Sequence, residues 1–139
     1  MIKVRKGKDN KKTFLHIKQS PRKIARGISN GLYDIGKENV RHLKTLIQQA
    51  PATGRYYRRR GVVHRASARG EPPASDTGNL ANTTDYKVRG VHQVEFGDTA
   101  EYGKFLEGSR PHVERTAFDK ARDNLNSLTH AVDRELKRS

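Results

Sequence analysis

Apolar residues recur at three- and four-residue steps in two stretches, and that spacing limits the fold of this chain more than any other feature. In the first stretch Ile24, Ile28, Leu32, Ile35, Leu43, Leu46 and Ile47 lay a stripe along one side of a helix over residues 21–50. In the second, Val113, Ala117, Ala121, Leu125, Leu128, Val132 and Leu136, joined by Phe118, make a narrow seam on a helix ending near residue 137, with charge on its other face. Between them residues 85–96 alternate, with Tyr86, Val88, Val91, Val94 and Phe96 among polar neighbours, which predicts two strands turning near Arg89-Gly90. Helices at the two ends and strands between them predict an α+β fold. A small antiparallel sheet packs against a long N-terminal helix and a C-terminal amphipathic helix.

Local signals set the expected boundaries. Ser20-Pro21 reads as the first helix's start, Ser20 as N-cap and Pro21 as first helical residue, and Ala50-Pro51 reads as its stop. Gly27, Gly31 and Gly36 each cost that helix about 1 kcal/mol relative to Ala, so packing must hold it. Residues 1–19 read as a basic arm in which Phe14-Leu15-His16-Ile17 forms a short strand, and residues 20–139 as a single domain. Residues 51–78, punctuated by Thr53-Gly54, Gly61, Gly70 and Pro72-Pro73, read as one long irregular loop, and a loop of that length in a small domain is usually functional. Residues 98–108 are turn-rich, with one short helical turn.

Only 32% of the 139 residues are hydrophobic and none is Trp, so the core of this one domain must be thin. With no cysteine, disulfide staples and thiolate metal sites are excluded. No apolar run is long enough for a signal peptide or a membrane span, so a soluble protein made in the cytoplasm is expected, with no membrane partner. The net charge of +14 is unevenly placed: residues 1–70 hold 19 Lys/Arg against 3 Asp/Glu, and residues 71–139 hold 10 against 12. Such a split suits a polyanion partner, or a contact between unlike faces of identical subunits.

Candidate chemistry is sparse. Asp76-Thr77-Gly78 carries the tripeptide of aspartic proteases, where two copies must meet to share a proton. Here Pro72-Pro73 stands where the preceding apolar strand should be, so a turn closed by Gly78 is the expected reading, and a homodimeric protease using Asp76 is a remote alternative. The six histidines have no metal-ligand spacing, and no catalytic, cofactor or metal residues are assigned. The segment 55–69 stands out, with six Arg and no acid. Arg55, Arg58, Arg59, Arg60, Arg65 and Arg69 beside Tyr56 and Tyr57 offer charge for phosphates and rings for stacking, or a basic surface for an acidic neighbour.

Three segments in order carry a resemblance. They are "RASARGEPPASDTGNL" (65–80), with Ser67, Gly70, Pro72, Pro73, Asp76, Thr77, Gly78 and Leu80; "VEFGDTAEYGKFLEGS" (94–109), with Tyr102, Glu107, Gly108 and Ser109; and "RPHVERTAFDKA" (110–121), opening on Arg110-Pro111. With the helix ending in "IQQAPATG", they resemble the minor tail component or neck protein family of long-tailed bacteriophages, the head–tail joining or tail-completion proteins. The resemblance covers residues 21–125. Where the family carries a large apolar residue after Arg-Pro this chain has His112, and at its Tyr-Ala step it has Tyr102-Gly103.

The resemblance implies a non-enzymatic virion subunit at the head–tail junction, forming a homo-oligomeric ring of six. Its neighbours would be the head-closure or connector protein and the tail-tube protein, with genomic DNA passing through the lumen. The alternative is a basic nucleic-acid-binding module outside the virion.

Overall fold

The computed structural model describes residues 10–75, 78–100 and 103–138, with side chains from Ser20 onward. The elements run α1 (Asn10–Gln48), β1 (Tyr56–Arg59), β2 (Val62–Arg65), α2 (Asn79–Asn82), β3 (Thr84–Arg89), β4 (Gln93–Asp98), α3 (Gly103–Glu107) and α4 (Val113–Lys137). The fold is α+β, as the periodicities predict. Its sheet, however, is two separate antiparallel pairs, β1–β2 and β3–β4.

The helix expected to begin at Ser20-Pro21 begins earlier. α1 is already helical at Asn10, and Pro21 lies inside it, so residues 10–19 form neither an arm nor a strand. Proline's fixed φ is itself helical, and its main cost is one missing amide hydrogen bond. Pro21 faces solvent, where water can satisfy the carbonyl that is left over. The basic stretch Lys3–Lys8 lies outside the described residues. The 39 residues of α1 make a rod about 58 Å long.

The glycines that weaken α1 are where α4 crosses it. A Cβ at Gly27 would lie 2.6 Å from the Val132 Cα, and one at Gly31 2.8 Å from the Leu128 Cδ1. His42 meets Asp119 further along at 3.3 Å, so the two helices run antiparallel. This close approach decides which side of α4 is buried. Small or polar residues (Thr116, Ala131, and the half-buried Ser127) fit against α1, with Glu135 held at the edge by Arg26, Asn30 and Arg138. The apolar seam read from the sequence is rotated off that face: Phe118 is 83% exposed and Leu125 65%. Gly36 serves a different neighbour, leaving room for the Tyr86 ring of β3.

The core proper is small. Leu43 and Ile47 of α1 meet Leu80 and Ala81 of α2, and Phe96, Ala100, Leu106 and Val113 close over them half-buried. β3 and β4 pair in register from Thr84 opposite Asp98 to Arg89 opposite Gln93 and turn at Gly90, where the sequence places the turn. No helix among the described residues is long and apolar enough to cross a membrane.

Candidate functional site

The segment expected to be an irregular loop contains a β-hairpin. β1 and β2 pair from Tyr56 opposite Arg65 to Arg59 opposite Val62, joined by Arg60-Gly61. Both turn residues have positive φ, 48° at Arg60 and 81° at Gly61, as the two-residue turn that suits strand twist requires. Arginine is an unusual first turn residue, so the sequence lacked the Asn-Gly signal by which such turns are recognised. Backbone bonds from Gly54 to Ala66 and from Ala66 to Arg55 extend the ladder toward the body.

Residues directly opposite share a face of the ribbon. One face carries Tyr56, Arg58, Val63 and Arg65; the other carries Tyr57, Arg59, Val62 and His64. Arg65 lies over the Tyr56 ring at 5.0 Å and donates to the carbonyls of Thr53 and Gly54, so it ties down the hairpin's base. Tyr57 stacks on His64 with centroids 5.5 Å apart. The ring pair is thus already engaged within the chain. Arg58 and Arg60 at the far end project into solvent, while Arg55 sits exposed at the base and Arg69 in a turn beyond β2. A two-stranded ribbon with Tyr56 70%, Val62 58% and Val63 56% exposed has no core of its own, and such hairpins are marginal in water without a partner.

The residues that carry the resemblance gather elsewhere, in a knot at the start of α4. Arg110 donates from Nε and Nη2 to the Ser67 carbonyl (3.3 and 3.1 Å), joining residues 43 positions apart. Gly70 N–H donates to the Ser109 carbonyl at 2.8 Å, and Ala74 N–H to the Ser67 hydroxyl. Pro72, Pro73 and Leu80 are buried, and Pro111 is half-buried. Gly108 is exposed and Gly78 has a φ of 75°, which fits a turn there. Asp76, Thr77 and Tyr102 lie outside the described residues. Glu71 accepts from Thr53 and from Ala68 N–H; these bonds, the Thr53 hydroxyl first, hold its carboxyl below the ordinary 4.5.

His112 is the centre of this knot, a role the sequence reading did not give it. It is fully buried: Nδ1 faces the Glu107 Oε2 at 2.7 Å and the Arg110 carbonyl at 2.9 Å, and Nε2 faces the Asp98 Oδ2 at 2.8 Å. Both ring nitrogens already face acceptors within the chain, so neither is free to act on a substrate or to ligate a metal. The group is architecture: it ties β4, α3 and α4 together. A Cβ at Gly103 would overlap the Asp98 carboxylate. His112 and Gly103 are therefore coupled, since the acid that receives His112 occupies the space that a methyl at 103 would need.

Glu107 completes the knot by capping α4, accepting from the backbone N–H groups of His112, Val113 and Glu114 at 2.8 to 3.2 Å. Burial works against its charge, but these bonds and His112 prevail, and its pKa falls below 4.5. A depressed carboxyl stabilises the fold above its unfolded pKa, and that stability is lost as pH falls through the folded value. Glu107→Gln should therefore cost about 1–2 kcal/mol at pH 7. The gap from wild type should narrow in urea melts taken below pH 4.5. A gap of equal size at pH 7 and pH 3 would show that the carboxylate's charge contributes nothing to the cap.

No family model, no curated protein and no solved structure matches this chain.

Proposed function

We propose that this chain is a structural subunit of a tailed-phage virion, a ring-forming neck or tail-completion protein that joins the DNA-filled head to the tail. What supports this reading is that the resembling segments, distant in sequence, meet in one hydrogen-bonded knot through Ser67, Gly70, Glu107, Ser109 and Arg110. In a joining protein such residues build the body, and contacts belong to whatever projects from it. Here that is the basic hairpin. In the ring it reaches the next subunit, an adjoining ring, or the phosphates of DNA in the lumen, for which its charge needs no sequence preference.

The test removes the projecting charge and leaves the hairpin's tether in place. In the phage that carries this gene, Arg58→Ser with Arg60→Ser should give DNA-filled heads and free tails that do not join, while the purified chain keeps its helical circular dichroism. Normal tailed, infectious particles overturn the joining role. The hairpin's arginines also favour a second reading, a nucleic-acid-binding module outside the virion. In that case the same pair of changes lowers the salt slope of DNA binding by about 2, and virion assembly is untouched.

A further inference from the structure

α4 has a second face that nothing in the described chain covers. Along it Phe118, Ala121, Leu125 and Leu136 are exposed, with Val132 half-buried between them. On a helix these positions fall within one strip, as they recur at three, four, seven and four residues. An amphipathic helix with its larger apolar side chains turned outward marks an interaction surface. The question is what covers it.

Charge narrows the choice. Two copies of a chain carrying +14 repel one another, and the repulsion is worst where charge is of one sign, as on the hairpin. α4 is the opposite case, with five acids and five bases over its 25 residues. Its charges are also arranged to suit a second α4. Arg115 and Asp133 lie 18 residues apart, five whole helical turns, on the same flank of the apolar strip. When two α4 helices pair antiparallel about the level of residue 124, beside Leu125, the flank of one meets the same flank of the other. Arg115 then comes level with Asp133 of the second copy, and the reverse contact forms by symmetry. Among the described residues Asp133 makes no ion pair within its own chain, and Arg115 reaches Asp119 only at 3.8 Å.

We propose that the outer face of α4 is a self-association surface, on which two copies of this chain pair their α4 helices antiparallel across Leu125. This goes beyond the joining role and stands without it, since it uses none of the hairpin.

The chain has no cysteine, so a single introduced one reports the geometry directly. Under mild oxidation Leu125→Cys, which lies within one residue of the twofold, should crosslink to itself, and Glu114→Cys, near the end of the strip, should not. By light scattering the wild-type chain should exceed monomer mass, and Leu125→Glu should reduce it to monomer with circular dichroism unchanged. Arg115→Asp should weaken the pair at least tenfold, and adding Asp133→Arg should restore it; a merely structural role for either residue gives no such rescue. A wild-type chain that is monomeric at the highest soluble concentration overturns the proposal. So does an assembly that Leu125→Glu leaves intact, or one in which the double charge swap restores nothing.

Discussion

Asp98→Ala should destabilise the chain by about 1–3 kcal/mol at pH 7, the cost of leaving a buried polar group without its partner. His112 has no exposed surface and Asp98 is 5% exposed at its side chain, so no water replaces the lost acceptor. Globular domains are stable by only about 5–15 kcal/mol, and this one has a small core, so the loss is a large share of the total. The effect should appear as a fall in the urea midpoint followed by circular dichroism. A loss below about 1 kcal/mol would mean that the Glu107 and Arg110 acceptors hold His112 without Asp98.

The reciprocal experiment is more discriminating. Gly103→Ala by itself should destabilise, because its methyl overlaps the Asp98 carboxylate. Combined with Asp98→Ala and His112→Leu, the same methyl should fill space that the carboxylate has vacated. Replacing a buried polar pair by apolar groups of similar volume is often neutral or stabilising. The triple variant should therefore recover to within about 1.5 kcal/mol of wild type. If it is as unstable as Asp98→Ala alone, His112 and Gly103 are independent of one another.

Gly27→Ala should also destabilise, and here the sign decides. In an exposed helix the change gains about 1 kcal/mol. At Gly27 the new methyl would stand 2.6 Å from the Val132 Cα, a backbone atom that yields only if α4 moves away. Overpacking of this kind costs about 1–3 kcal/mol, so a net loss is expected, and Gly27→Leu should release α4 from α1 altogether. Urea melts of both variants measure it. A Gly27→Ala chain more stable than wild type by about 1 kcal/mol would mean that the two helices do not touch there.

These residues also mark how far the sequence could be read. The stripe Leu32, Ile35, Leu43 and Ile47 predicted the buried side of α1 because helical period and burial coincide there. The alternation from Tyr86 to Phe96 placed the β3–β4 turn, and the seam placed the end of α4 at Lys137. The basic hairpin was legible as chemistry but not as structure: its arginines were singled out, yet its turn rests on Arg60 in a conformation that favours Asn or Gly.

Local periodicity thus determined that α1, α4 and the β3–β4 pair would form, since it depends only on residues three or four, or two, apart. The tertiary structure decided the rest, because each remaining answer depends on residues far apart in the chain. Gly27 and Gly31 look like weaknesses until α4 lies against them, and only then is it settled that Thr116 and Ala131 go inside while Phe118 and Leu125 stay out. His112 looks like one histidine among six until Asp98 and Glu107, 14 and 5 residues before it, close around its ring. A buried polar group is tolerable only where its partners arrive from elsewhere, and the place where they meet is a property of the fold.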